Sequence, residues 1–176
     1  MISPLSISGA FVVEGIAATD ERGAFRKLID AIQDSVPAVF RTIDEVALSH
    51  TSTAGTIRGL HFQVDPHAQT KMVSVAAGAV RDVLVDLRVD SPSYGRSESI
   101  ELDSAAAVSI LVPTGVAHGF QTLVDDTTVL YVMHGAYHQE SARVLAFDDP
   151  TLAIAWPLPV TNISPADRNG LPWPVS

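Results

Sequence analysis

Val83-Leu84-Val85-Asp86-Leu87-Arg88-Val89 is the stretch whose reading decides the fold. Val83, Val85, Leu87 and Val89 alternate with Leu84, Asp86 and Arg88, a period of two that predicts a β-strand. Ser91-Pro92-Ser93-Tyr94-Gly95 then reads as a turn. Residues 109–112 predict another strand, stopped by Pro113-Thr114-Gly115. Residues 117–124 and 127–133 predict a hairpin closed at Asp125-Asp126, and 11–16 and 43–49 predict earlier strands. Residues 28–34 are the best candidate for a short helix, and Asp149 is placed to cap a brief helical turn. From Pro157 onward, proline and polar residues predict a segment laid across the surface. Short strands broken by proline and glycine give a mainly β class with a few short helices. The natural closure is a jelly-roll barrel whose pocket is lined by alternate residues.

The chain has 176 residues, the size of a single domain spanning 1–176. Apolar residues make up 47%, enough for a sizeable core, and charged residues only 18%, which argues against disorder. Twenty acidic residues against 11 basic ones leave a formal charge of -9, so nucleic acid is not an expected partner. An anionic small molecule still fits if a few cations converge in one cleft. The absence of cysteine excludes disulfides, thiolate chemistry and cysteine-based zinc sites. The first nine residues lack a charged leader followed by an apolar core, and no apolar run is long enough to cross a bilayer. The expectation is a cytoplasmic protein without a membrane partner.

Thr56-Ile57-Arg58-Gly59-Leu60-His61-Phe62-Gln63 carries the first candidate for chemistry, with Lys71 following eight residues after Gln63. Parity puts His61 with Gly59 and Gln63 on one strand face, and Leu60 and Phe62 on the other. His61 then faces either the barrel interior or solvent. Arg58 falls on the Leu60 face unless Gly59 permits a bulge or kink. His118 ends the run Pro113-Thr114-Gly115-Val116-Ala117-His118, which resembles the second motif of the cupin superfamily. The first cupin motif supplies His-x-His, whereas His61-Phe62-Gln63 has no second histidine. His61 and His118 alone fall short of three metal ligands, so no metal and no cofactor are expected. Tyr131, in a strand, reads either as core or as an acid facing a polar pocket. Asp167 reads as a surface carboxylate unless it meets a histidine.

Together these residues resemble the dTDP-4-dehydrorhamnose 3,5-epimerase family. The likeness runs from about Asp20 to about Gly170 and is carried by ordered blocks. These include Asp20-Glu21-Arg22-Gly23-Ala24-Phe25, the run through Gln63, Lys71-Met72-Val73, Pro113 to Phe120, and Ile154-Ala155-Trp156-Pro157. The resemblance implies a metal-free cupin jelly roll, working as a homodimer with strand exchange on a dTDP-linked sugar. It implies that His61 is the general base, paired with Asp167, that Tyr131 is the acid on the opposite face, and that Lys71 stabilises an enolate oxygen. His118 would lie beside the sugar, and Arg22, Phe25 and Arg58 would contact the nucleotide or its diphosphate. Gln63, on the His61 face, joins the substrate contacts.

The chemistry is coherent on physical grounds. A C4 ketone acidifies the hydrogens on C3 and C5, and removing one leaves an enolate oxygen that needs a cation. Inversion needs a base and an acid on opposite faces. The chain departs from the family pattern at Ala166, where a lysine is usual, at Ala47, where a glutamine is usual, and at Lys27, where a glutamate is usual. The last two fall among the implied nucleotide contacts, so the nucleotide and the centre inverted stay open. The same residues also allow a metal-dependent cupin dioxygenase or isomerase, or a non-catalytic sugar-nucleotide-binding protein.

Overall fold

The computed structural model describes residues 1–28 and 42–175. The N-terminal third carries β1 (Ile2–Pro4), β2 (Phe11–Glu14), β3 (Ile16–Asp20), β4 (Gly23–Lys27) and β5 (Glu45–Thr51). Next come β6 (Thr56–Gln63), β7 (Thr70–Ala77), β8 (Ala79–Asp86), β9 (Ser97–Asp103) and β10 (Val108–Val112). The chain continues through β11 (Val116–Thr122), β12 (Thr127–His134), β13 (Ala142–Val144) and β14 (Asn162–Ile163) to a helical turn, α1 (Pro165–Arg168). One sheet has the order β1-β2-β10-β7-β12-β5, and the second has β13-β6-β11-β8-β9 with β14 added beside β6. The expected mainly β jelly-roll class is therefore present, as two facing sheets. No helix among the described residues is long and apolar enough to cross a membrane.

The strand period decides which side chains meet between the sheets. Val73, Val75, Ile110 and Val129 of the first sheet pack there against Val80, Leu84 and Phe120 of the second. The opposite face of the second sheet builds another apolar layer. Leu60, Phe62, Val83 and Val85 point outward there and are covered by Leu145, Leu152, Trp156 and Trp173. The segment after Pro157 is thus a packed cover over this sheet. Asp149 helps to fasten it: its carboxylate accepts from the backbone N–H of Thr151, Leu152 and Trp173.

Three expectations change. Strands β11 and β12 do not form a hairpin: β11 pairs with β6 and β8, and β12 with β5 and β7. Residues 123–126 are a corner between sheets, because apolar alternation specifies a face but not a neighbour. The strand expected over 83–89 ends at Asp86. The buried Asp86 carboxylate accepts bonds from the Arg88 backbone and guanidinium and from the Ser91 and Ser93 hydroxyls, which turns the chain. The strand expected over 11–16 is split at Gly15, whose N–H donates to Ala107 O at 2.6 Å. The helix expected over 28–34 lies, beyond Leu28, outside the described residues.

Leu145 is fully buried in the outer layer, and its backbone exchanges hydrogen bonds with Leu60. Leu145→Ala is expected to cost about 2–5 kcal/mol by deleting buried methyl groups and leaving a cavity. Urea denaturation checks this: the midpoint should fall with an unchanged slope.

Candidate active site

The site starts from an irregularity in β6. His61 stands opposite His118 of β11, and Arg58 stands opposite Phe120, so Gly59 and Leu60 together face Gly119. This is a β-bulge. It puts Arg58 on the same side as His61, the inner side, which strict parity denied it. Gly59 has φ of 103°, and a Cβ there would meet His118 O at 2.7 Å and the Gly119 Cα at 2.8 Å. Only glycine fits both the backbone and the space.

Asp167 secures the bulge and the imidazole together. Its Oδ1 lies 2.7 Å from His61 Nε2, and its Oδ2 accepts from Gly59 N–H at 3.2 Å. The carboxylate is buried, whereas about half of the His61 side chain is open. Burial pushes the Asp167 pKa up, but bonds from His61, Gly59 and Ser164 outweigh it and hold the value below the ordinary range. Asp167 reaches this position because Ser164 caps α1: its Oγ accepts from Asp167 N–H, and Pro165 starts the turn. Ser-Pro-Ala-Asp is a capping pattern, a signal that reading Asp167 as a loop residue missed.

The facing sheet supplies the other groups. Tyr131 pairs with Val73, and Met133 with Lys71, so Tyr131, Met133 and Lys71 point inward on neighbouring positions of β12 and β7. A cavity of about 400 Å³ is lined by His61, Gln63, Lys71, Met133, Tyr137 and Asp167, among others. Burial pushes the Lys71 pKa down to about 8. Among the described residues no carboxylate pairs with Lys71, so the cavity carries a cation without its anion. Tyr131 lies further in, edge-on to His118 with ring centroids 6.2 Å apart. Burial raises the Tyr131 pKa, Asp82 raises it further, and Arg58 partly offsets this.

His118 is buried and its Nε2 lies 2.8 Å from Asp82 Oδ2. Asp82 was not singled out in the sequence, yet a carboxylate between Val80 and Leu84 on an inward face needs a partner. Arg58 is anchored through Thr51 Oγ1 and His50 O. Gln63 lines the cavity, but its amide is occupied by His67 O, Ala136 O and the N–H of His138. Arg22 and Phe25 border a separate hollow on the β3–β4 hairpin and do not line the His61 cavity. Among the described residues no three of His, Asp and Glu converge as a metal-ligating set. The arrangement suits proton transfer at a carbon next to a carbonyl. It has an oriented base on one sheet, a phenol on the other, and a cation at the cavity wall.

The family model described as dTDP-4-dehydrorhamnose 3,5-epimerase matches residues 4–173. A dTDP-4-dehydrorhamnose 3,5-epimerase of Sinorhizobium fredii is 39% identical over 161 residues, covering 90% of this chain and 82% of that protein. A dTDP-4-dehydrorhamnose 3-epimerase of Streptomyces niveus is 34% identical over 172 residues, covering 97% of this chain and 82% of that one. The crystal structure of a dTDP-4-dehydrorhamnose 3,5-epimerase from Bacillus anthracis, with TDP and PPi bound, superposes with a TM-score of 0.89. It shares 34% identity and 98% coverage of both chains.

Gly59→Ala is expected to destabilise the protein by about 1–3 kcal/mol through backbone strain and a forced shift at Gly119. A parallel fall in thermal midpoint and loss of the His61–Asp167 contact in a crystal structure check it. Lys71 generates a pH effect. Its folded pKa of about 8 lies below the ordinary lysine value of 10.5, so between these values the unfolded chain holds more protons and stability rises with pH. Lys71→Met should abolish that rise in thermal melts taken from pH 7.5 to 10.5.

Proposed function

Since the chain belongs to the dTDP-4-dehydrorhamnose 3,5-epimerase family and is an isomerase of dTDP-linked keto-deoxysugars, we propose that His61, Asp167, Lys71 and Tyr131 carry its reaction. The substrate is a dTDP-linked 4-keto-6-deoxyhexose, inverted at C3, C5 or both. The observation that carries this reading is the His61–Asp167 contact at 2.7 Å, beside a cavity that also exposes Lys71.

With Nε2 held by Asp167, His61 presents Nδ1 as the basic nitrogen. It takes the hydrogen from the carbon next to the C4 carbonyl. Asp167 keeps the tautomer and stabilises the imidazolium that forms. The enolate oxygen meets the Lys71 ammonium, whose burial without an anion is unfavourable until that charge develops. Tyr131 protonates the carbon from the other face. Its raised pKa keeps the proton on the phenol until a strongly basic enolate carbon is presented. No redox step is involved, because the proton removed and the proton returned balance. His118 supports the sugar beside Tyr131, Arg58 binds the diphosphate, and Gln63 acts by holding the cavity wall.

The assembly is a homodimer that exchanges the β3–β4 hairpin, so that Arg22 and Phe25 serve the partner subunit's nucleotide site. Supporting this, every residue of both hairpin strands is exposed, with Phe25 at 65%. Val46 and Leu48 add exposed apolar surface on β5. The enzyme works in the cytoplasm.

Deuterium uptake from heavy water into C3 and C5 of dTDP-4-keto-6-deoxyglucose, followed by proton NMR, tests the reaction. The wild type should exchange at the carbon it inverts. His61→Asn should slow exchange by about 10²–10⁴-fold, the usual worth of a positioned base. Tyr131→Phe should keep exchange on the His61 face while losing the inverted product. No deuterium at either carbon with folded wild-type enzyme overturns the proposal.

A further inference from the structure

One side of the cavity mouth is built by the loop after β6 and the loop after β12. Gln63 ties them together, since its Nε2 donates to His67 O at 2.7 Å and Ala136 O at 3.2 Å, and its Oε1 accepts from His138 N–H at 2.6 Å. Gln69 adds a bond from its Nε2 to Gly135 O at 2.8 Å. Tyr137 sits between these anchor points and lines the cavity with His61 and Lys71. Across the same junction the imidazoles of His67 and His138 stack face to face. Their centroids are 3.6 Å apart and their planes 21° from parallel. His67 Nδ1 also lies 2.8 Å from Ser141 Oγ.

We propose that the His67–His138 stack is a proton-sensitive clasp that holds the Tyr137 loop at the cavity mouth and releases it in acid. The proposal rests on the cavity being the active site. Two neutral imidazoles, or one neutral and one charged, stack favourably. Two imidazolium ions at this separation repel strongly, and imidazoles are the side chains that charge between pH 5 and 8. The neighbouring charges do not cancel the pair. Glu140 lines the same hollow and can balance one imidazolium, but not two. The Arg143 guanidinium donates to Glu140 O and adds positive charge nearby. Asp65, on the loop after β6, borders the adjoining cavity with Arg88 and Asp90. No step of the proposed reaction uses either histidine, so the stack is free to respond to pH alone.

Hydrogen–deuterium exchange of residues 135–142, read by mass spectrometry and corrected for intrinsic rates, tests the clasp without turnover. It therefore succeeds or fails independently of the epimerase reading. Protection in the wild type should fall by roughly tenfold or more between pH 7.5 and pH 5, as expected for close like charges. In His67→Phe/His138→Phe, which keeps a stacked pair that cannot titrate, protection should stay level. His138→Phe alone serves as a second variant, because His138 is exposed and its replacement leaves the core untouched. Equal loss of protection in the wild type and in a folded variant overturns the proposal. So does an unchanged wild type at pH 5. In turnover, the acid fall of kcat/KM should be steeper for the wild type than for the double variant, which lacks the stacked imidazoles.

Discussion

An extra residue in β6 is the constraint on which the site depends. Pairing Gly59 and Leu60 against Gly119 alone turns Arg58 inward and leaves the Gly59 N–H without a ladder partner. That N–H is then free to donate to Asp167 Oδ2, while Oδ1 of the same carboxylate meets His61. The backbone irregularity and the dyad are therefore one structure. Remove the bulge and Arg58 moves to the outer face, while the carboxylate loses one of the donors that, after His61, hold its pKa down.

The two sheets divide the labour. The second sheet and its cover carry His61 and Asp167, and the first carries Tyr131 and Lys71. Facing sheets hold the two groups on opposite sides of anything bound between them, which is what inversion at carbon demands. Among the described residues Lys71 pairs with no carboxylate, and Asp82 Oδ1 is buried without a partner, in a mostly apolar interior. In the proposed reaction the enolate oxygen would relieve the first of these. The network around Asp86 serves shape instead, ending β8 and turning the chain through Ser91 and Ser93.

Strand alternation made the class of fold legible, and it placed His61 apart from Leu60 and Phe62 correctly. What it lacked was partner choice. The residues 117–124 and 127–133 carry good strand patterns, but a period of two is the same for a hairpin and for a corner between sheets. The strand expected over 83–89 overran for a related reason: Arg88 fits the alternation, and only its bonds to Asp86 reveal a turn. In the site, the parity conflict at Arg58 pointed to a bulge at Gly59 before any coordinates did. Ser164 and Asp82 were readable in principle, one as a cap and the other as an inward carboxylate. Gln63 was placed on the right face, yet its three bonds to two loops depend on chain folding far from it in sequence. Arg22 and Phe25 lie on a hairpin whose strands are exposed and line a hollow apart from the His61 cavity, a separation that the strand pattern does not reveal.

Asp167 follows every strand of both sheets in the order of synthesis, and it reaches His61 across more than a hundred residues of sequence. A growing chain can therefore assemble both sheets, with Tyr131 and Lys71 in place, before the carboxylate exists to orient the base. The contact that sets the imidazole therefore closes only once α1 is docked against β6. Truncation ahead of that turn would keep the residues of every strand and leave His61 without its carboxylate.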